Sequence, residues 1–254
     1  MSDDKQKTSP RLIITERDRE VLRFVGRGGI ASLCQLHQRH WSGSQLRTAS
    51  SRLLTLVKEG WLATHRQDTF KRGQPVQVFS LTKQGASLFS TAERERMYLG
   101  GVGRHEARQQ LLAQAARIAL EKQLPASEQQ LLDWRNEREV RQAYNQDLFH
   151  RRGFQFGSNN YPAITAAKEI ATREGEEAGI SDAQILIGHA DGQQVWVEVE
   201  CDGYYYHHHL TTKLTALTRL GRPLLYVTIA ARAARLKQTL QSWPNCSLLV
   251  IDLN

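Results

Sequence analysis

Residues 181–200 constrain the fold more than any other stretch of this 254-residue chain. Ser181 to Ile187 and Val195 to Glu200 are two apolar, β-branched runs, and Gly188-His189-Ala190-Asp191-Gly192-Gln193 between them is a short polar turn. Two such runs around such a turn predict a hairpin. Side chains two apart on a strand share a face, so Glu198 and Glu200 point the same way, opposite Val195, Val197 and Val199. Asp182, at the start of the partner strand, can be brought beside them. Glutamate is a poor strand former, and two at alternate positions of a buried-looking strand need a reason. Three carboxylates at one end of a sheet form a hard-oxygen set suited to Mg²⁺ or Mn²⁺. The competing reading is a half-exposed strand with one wet face.

The hairpin sits within a longer α/β pattern. Arg104 to Gln123 reads as an amphipathic helix with Leu111, Leu112, Ala115, Ile118 and Ala119 on its apolar side. Leu131 to Trp134 reads as a first core strand, Glu137 to Arg151 as a helix, and Phe154 to Ile164 as a loop. The run Glu174 to Glu177 reads as a solvated turn. After the hairpin come a helix from Leu210, a strand at Pro223–Ile229, a helix at Ala231–Leu240 and a strand at Ser247–Leu253. This alternation requires at least one parallel crossover. No glycine-rich loop follows a strand, so ATP or NAD use has no support. The His207-His208-His209 run does not make a metal cluster, because neighbours on a helix diverge by about 100°. Tyr204, Tyr205, Tyr206 and His207 instead suit a groove in which aromatic groups stack on unpaired bases. Asp202 and His105 are further candidates for the periphery of the site.

The N-terminal part has a different pattern. Thr15 and Asp18 form a capping box ahead of Val21, Leu22, Phe24 and Val25. A second helix runs from about Ser32 to His40, with Leu33, Leu36 and His37 on one face. A third, from Gln45 to Glu59, carries Leu46, Ala49, Leu53, Leu56 and Val57 inward at helical spacing. Strands follow at Trp61–Ala63 and Val76–Leu81, separated by a basic tip at Lys71-Arg72-Gly73-Gln74. Helix, turn, helix and a two-stranded wing make a winged helix-turn-helix. Its third helix offers Gln45, Arg47, Thr48, Ser51, Arg52 and Lys58 to a DNA groove, and Arg66, Lys71 and Arg72 would touch backbone phosphates.

Charge agrees with this division. Residues 1–100 contain 17 Lys or Arg against 9 Asp or Glu, whereas residues 101–254 contain 17 of each. The whole excess of +8 thus lies in the N-terminal part, which suits a polyanionic partner. The expected organisation is a flexible lead at 1–12, a winged-helix domain at 13–90, a linker at 91–103 hinged at Gly100-Gly101-Val102-Gly103, and an α/β domain at 104–254. No apolar run approaches the roughly 18 residues of a membrane span. Cys34, Cys201 and Cys246 have no framework spacing, which fits a reducing cytoplasm and provides no zinc site.

An Asp, then Glu-x-Glu on the next strand, then a helix resembles the core of the restriction-endonuclease-like superfamily. In that resemblance Asp182 matches the first acidic position and Glu198 the second. Glu200 stands where Lys is usual, and the basic group has moved to Lys213 on the following helix. Glu106 resembles the helical Glu that precedes the first core strand in many members, implying an outer metal ligand. The whole chain is similar to the replication-relaxation family of plasmid proteins, which includes MobC-type relaxases. Many of that family have Pro-Asp where this chain has Ser181-Asp182. The resemblance implies a mixed sheet flanked by helices behind the winged helix. It also implies a mobilization relaxase that nicks one strand at a transfer origin with Mg²⁺ or Mn²⁺. Its catalytic residues would be Asp182, Glu198, Glu200 and Lys213, with the metal on Asp182, Glu198, Glu200 and Glu106. Expected partners are double-stranded and locally single-stranded plasmid DNA, a relaxosome accessory protein and a conjugative coupling protein. Alternatives are a non-catalytic replication or relaxosome accessory protein, a repressor with a degenerate nuclease domain, and a restriction or repair endonuclease. A covalent mechanism through Tyr204, Tyr205 or Tyr206 is also open.

Overall fold

The computed structural model describes residues 13–67, 75–151, 153, 165–166, 169–170, 173, 180–202 and 207–251, the side chains of 104, 105 and 207–209 excepted. The first helix, α1 (Glu16–Gly28), starts where expected. Thr15 Oγ1 accepts from the Asp18 N–H at 3.2 Å, and Asp18 Oδ2 accepts from the Thr15 N–H at 2.8 Å. It stops at Gly29, whose φ of 84° is one that glycine adopts without strain. A three-residue strand β1 (Ile30–Ser32), too short to show a period, comes next. Ser32 and Gln35 then cap α2 (Leu33–His40), which leads to α3 (Leu46–Lys58). Strands β2 (Leu62–Gln67) and β3 (Val76–Leu81) complete an antiparallel sheet of order β1-β3-β2. Leu22, Phe24, Leu36, Leu53, Leu56 and Phe79 form the core between this sheet and the three helices. Leu46, expected inside, is 43% exposed, because it lies in the first turn of α3, outside that core.

The expected linker is partly structured. Two short helices, α4 (Lys83–Ala86) and α5 (Thr91–Glu95), precede Met97, which is 1% exposed in the N-terminal core. The next helix, α6 (Arg104–Gln123), differs from the expected amphipathic element, since it is covered on nearly every side. Ala107 and Leu111 pack on Ile30 and Val78, Ile118 enters the N-terminal core, and Leu112 and Ala116 lie under a second sheet. Polar side chains bind it on the N-terminal side: Gln35 Nε2 donates to the Leu111 carbonyl at 2.6 Å, and Arg39 grips Glu121 at 2.7 and 3.0 Å.

The second sheet contains β4 (Gln130–Asn136), β5 (Ala183–Gly188), β6 (Gln194–Cys201), β7 (Leu224–Ile229) and β8 (Cys246–Ile251) in that order. The first three strands are antiparallel, and β6–β7 and β7–β8 are parallel. The chain is therefore mixed α/β, as its alternation predicted. Helix α7 (Glu137–Arg151) follows β4, while α8 (His207–Thr218) and α9 (Ala230–Leu240) make the two parallel crossovers. One face of the sheet, with Ala183, Ile185, Val199 and Val227, rests on α6. On the other, Leu224 and Tyr226 meet Leu210, Leu214 and Leu217 of α8 and Leu236 and Leu240 of α9. Burying a leucine side chain contributes about 2 kcal/mol, so these crossover helices are held by packing on the sheet. Among the described residues no helix is long and apolar enough to cross a membrane. The loop expected at Phe154–Ile164, the acidic run Glu174–Glu177 and the basic tip with Lys71 and Arg72 lie outside the described residues.

Candidate functional site

The β5–β6 register places Asp182 opposite Glu200, one step beyond the Ala183–Val199 pair. Glu200 is register partner to Tyr226, on the sheet face covered by α8. Lys213 of α8 reaches this position. Its Nζ is 2.6 Å from Glu200 Oε1 and 3.9 Å from Asp182 Oδ1. The Cys201 N–H donates to Asp182 Oδ2 at 2.8 Å, and Gln109 Nε2 of α6 donates to Asp182 Oδ1 at 3.4 Å. Three of the expected catalytic residues, Asp182, Glu200 and Lys213, thus meet at one end of the sheet.

Charge balance there is poor. Asp182 is 8% exposed and Glu200 fully buried. Burial raises the Asp182 pKa, and Lys213 only partly opposes it. Burial also pushes Glu200 well above the usual carboxylate range, and the neighbouring Asp182 charge adds to the effect. Among the described residues Glu200 Oε2 meets no hydrogen-bond donor. A buried carboxylate left this way costs several kcal/mol unless it is neutralised or a cation is supplied.

Glu198 departs from expectation. It shares the Glu200 face but is saturated: Ser181 Oγ donates to it at 2.6 Å, Gln184 Nε2 at 2.9 Å, and Arg222 contacts it at 2.8 Å. Two residues along a strand is a shift of nearly 7 Å, enough to move Glu198 out of reach of Lys213 and toward Arg222. Glu198, expected as a direct ligand, is here paired with Arg222, whose side chain is 46% exposed. Asp202 is likewise engaged elsewhere, by Thr228 Oγ1 at 2.7 Å, Arg232 at 3.0 Å and Arg108 at 3.7 Å. Glu106 accepts from Gln110 Nε2 at 3.1 Å and lines a small cavity that ends at Asp182. The cavity holds about 20 Å³, room for one water or one ion. Among the described residues no group of three His, Cys, Asp or Glu side chains is placed to hold a metal ion. Tyr204, Tyr205 and Tyr206, and the side chains of His105 and His207, lie outside the described residues.

Glu137 was not anticipated. It opens α7, lines the cavity beside Asp182, and its charge raises the pKa of both Asp182 and Glu200. Arg141 pairs with it at 2.8 Å. The i, i+4 spacing of that pair is readable in the chain, but nothing local says that it faces Asp182. Gln109, Gln184 and Arg222 escaped notice for the same reason.

On the N-terminal unit, Gln45 at the start of α3 and Arg47, Thr48, Ser51 and Lys58 along it are exposed, and Arg66 is exposed on β2. Arg52 is not free to join them. Its Nε donates to Asp18 Oδ1 at 2.9 Å and its Nη2 to the Ile13 carbonyl at 3.0 Å, because the buried Asp18 carboxylate requires a countercharge. Comparison of the chain with protein-family models, curated proteins and solved structures returned no match.

Proposed function

We propose that the protein is a plasmid-mobilization relaxase, a metal-dependent endonuclease that nicks one strand of DNA at a transfer origin. A winged helix over residues 13–90 would bind the duplex, and a restriction-endonuclease-like core over 104–254 would cut it. The observation that carries this reading is the meeting of Asp182, Glu200 and Lys213 at the end of a mixed sheet. The order helix, strand, antiparallel hairpin, helix and parallel strand around it supports the same reading.

Glu200 Oε2, which meets no donor among the described residues, lies beside a second buried carboxylate and fits a hard divalent cation. Asp182 and Glu200 would hold Mg²⁺ or Mn²⁺, with Glu106 at the rim. When bound, the ion would polarise the phosphate and acidify the attacking water. The Cys201 N–H and Gln109 orient Asp182. Lys213 would place positive charge against the phosphate as its negative charge redistributes in the transition state. Exposed Arg47 and Lys58 on α3 and Arg66 on β2 would neutralise backbone phosphates.

The test is nicking of supercoiled plasmid with Mg²⁺ or Mn²⁺ by the full chain and by Asp182→Ala. Loss of nicking with duplex binding retained supports the reading, and equal nicking by the variant defeats it. Protease-resistant DNA-linked protein would instead point to covalent transfer. A second reading has one observation in its favour: Arg222, Ser181 and Gln184 saturate Glu198. With that acidic position lost, the chain would be a DNA-binding accessory protein or repressor, and neither metal would produce nicks.

A further inference from the structure

The two units are joined by more than a linker. Arg27, at the end of α1, lies 3.4 Å from Asp133 and 3.2 Å from Glu139, and also donates to the Trp134 carbonyl. Arg96 meets the same two carboxylates. Asn136 Nδ2 donates back across the junction to the Arg27 carbonyl at 2.7 Å and the Arg96 carbonyl at 3.2 Å. Beneath them Gln114 Nε2 donates to the Phe24 carbonyl at 3.0 Å. The helices approach so closely that a Cβ on Gly28 would fall 1.8 Å from the Gln114 amide. Helix α6 supplies side chains to the cores on both sides.

Units joined by a small polar interface move relative to one another by default, but a shared buried helix removes that freedom. Duplex DNA rises about 3.4 Å per base pair. Shifting the cut by one base pair relative to α3 would demand a slide of that size across the junction. Its ion pairs and packed glycine contacts would break first. We propose that the Arg27–Arg96–Asp133–Glu139 cluster is a ruler, which positions the Asp182–Glu200 site at a fixed number of nucleotides from the sequence bound by α3. This inference rests on the nickase reading and adds to it how the cut phosphate is chosen.

The test uses the full chain and a duplex selected by it from a randomised pool, built into a supercoiled plasmid. One, two or three base pairs are then inserted between the footprint and the mapped nick. The expected result is a single nick that keeps its distance from the footprint in every plasmid. The Arg27→Ala/Arg96→Ala double variant should spread the nick over neighbouring phosphates while its footprint is unchanged. The milder Glu139→Gln should do so to a smaller extent, and it serves if the double variant does not fold. A nick that stays with its original flanking sequence, a scattered wild-type nick, or a single position retained by the folded variants would overturn the ruler alone. A footprint with no nick at any spacing would overturn the nickase reading and the ruler with it.

Discussion

Asp18 in the N-terminal unit and Glu200 in the large sheet are equally hidden from solvent, at 1% and 0% exposure, yet their surroundings are opposite. Asp18 accepts from the Thr15 N–H at 2.8 Å, the Thr15 hydroxyl at 2.7 Å and Arg52 Nε at 2.9 Å. Burial works to raise its pKa, but these partners outweigh burial and hold it below the usual value. Glu200 has Lys213 at one oxygen and no donor at the other among the described residues. A buried charge serving the fold is saturated by the fold. One left short at the end of a sheet among the described residues, facing a second carboxylate, is the kind of local inconsistency on which the proposed function draws.

The strongest way to break this contrast is kinetic. Asp182→Ala should lower the nicking rate by about 10³-fold, the equivalent of about 4 kcal/mol of lost transition-state stabilisation. Asp18→Ala should leave nicking per folded molecule unchanged, and rates measured on both variants in parallel decide the matter. On stability the order reverses. Asp18→Ala removes the N3 half of the capping box and strands Arg52, so urea denaturation should show a loss of about 2 kcal/mol. Glu200→Gln should instead stabilise the metal-free protein by about 1 kcal/mol, a rise of roughly 2–4 °C in Tm. The same substitution should abolish any thermal shift produced by Mn²⁺.

Proton linkage sharpens the contrast further. Because the folded pKa of Glu200 is raised, the folded state binds more protons than the unfolded one above the ordinary value of 4.5, and stability falls as pH rises from there toward the raised pKa. For Asp18 the sign is opposite. Its contribution is present above the ordinary 3.8 and is lost as pH falls through the lowered folded value. Denaturation across pH should show both slopes, with the first flattened in Glu200→Gln and the second in Asp18→Asn. The smallest effect is expected at the exposed Arg47. Arg47→Ala should weaken DNA binding modestly and reduce the salt slope by about one, measured by titration at several ionic strengths.

Most of the local structure was legible. The capping box at Thr15, the hairpin around Gly188–Gln193 and the two crossover helices all follow from neighbours in the chain. Of the candidate site, strand spacing grouped Asp182 with Glu198 and Glu200, and the family resemblance added Lys213. The distinction between Glu200 and Glu198 was not. Period-two alternation assigns both to one face, and what separates them is the partners that packing brings: Ser181, Gln184 and Arg222 at Glu198, and Lys213 at Glu200. Glu137 and Gln109 were missed because each meets Asp182 from an element whose placement no spacing reveals.

By itself the sequence determined most of the longer helices and strands, since caps, turns and periodicity act over a few residues. Tertiary structure alone decided what covers each face. It put α6 in two cores, bound Arg52 to a carboxylate 34 residues away and left Glu200 Oε2 without a donor among the described residues. Those outcomes depend on which elements pack together, and a buried charge acquires its energy only from the neighbours that packing brings.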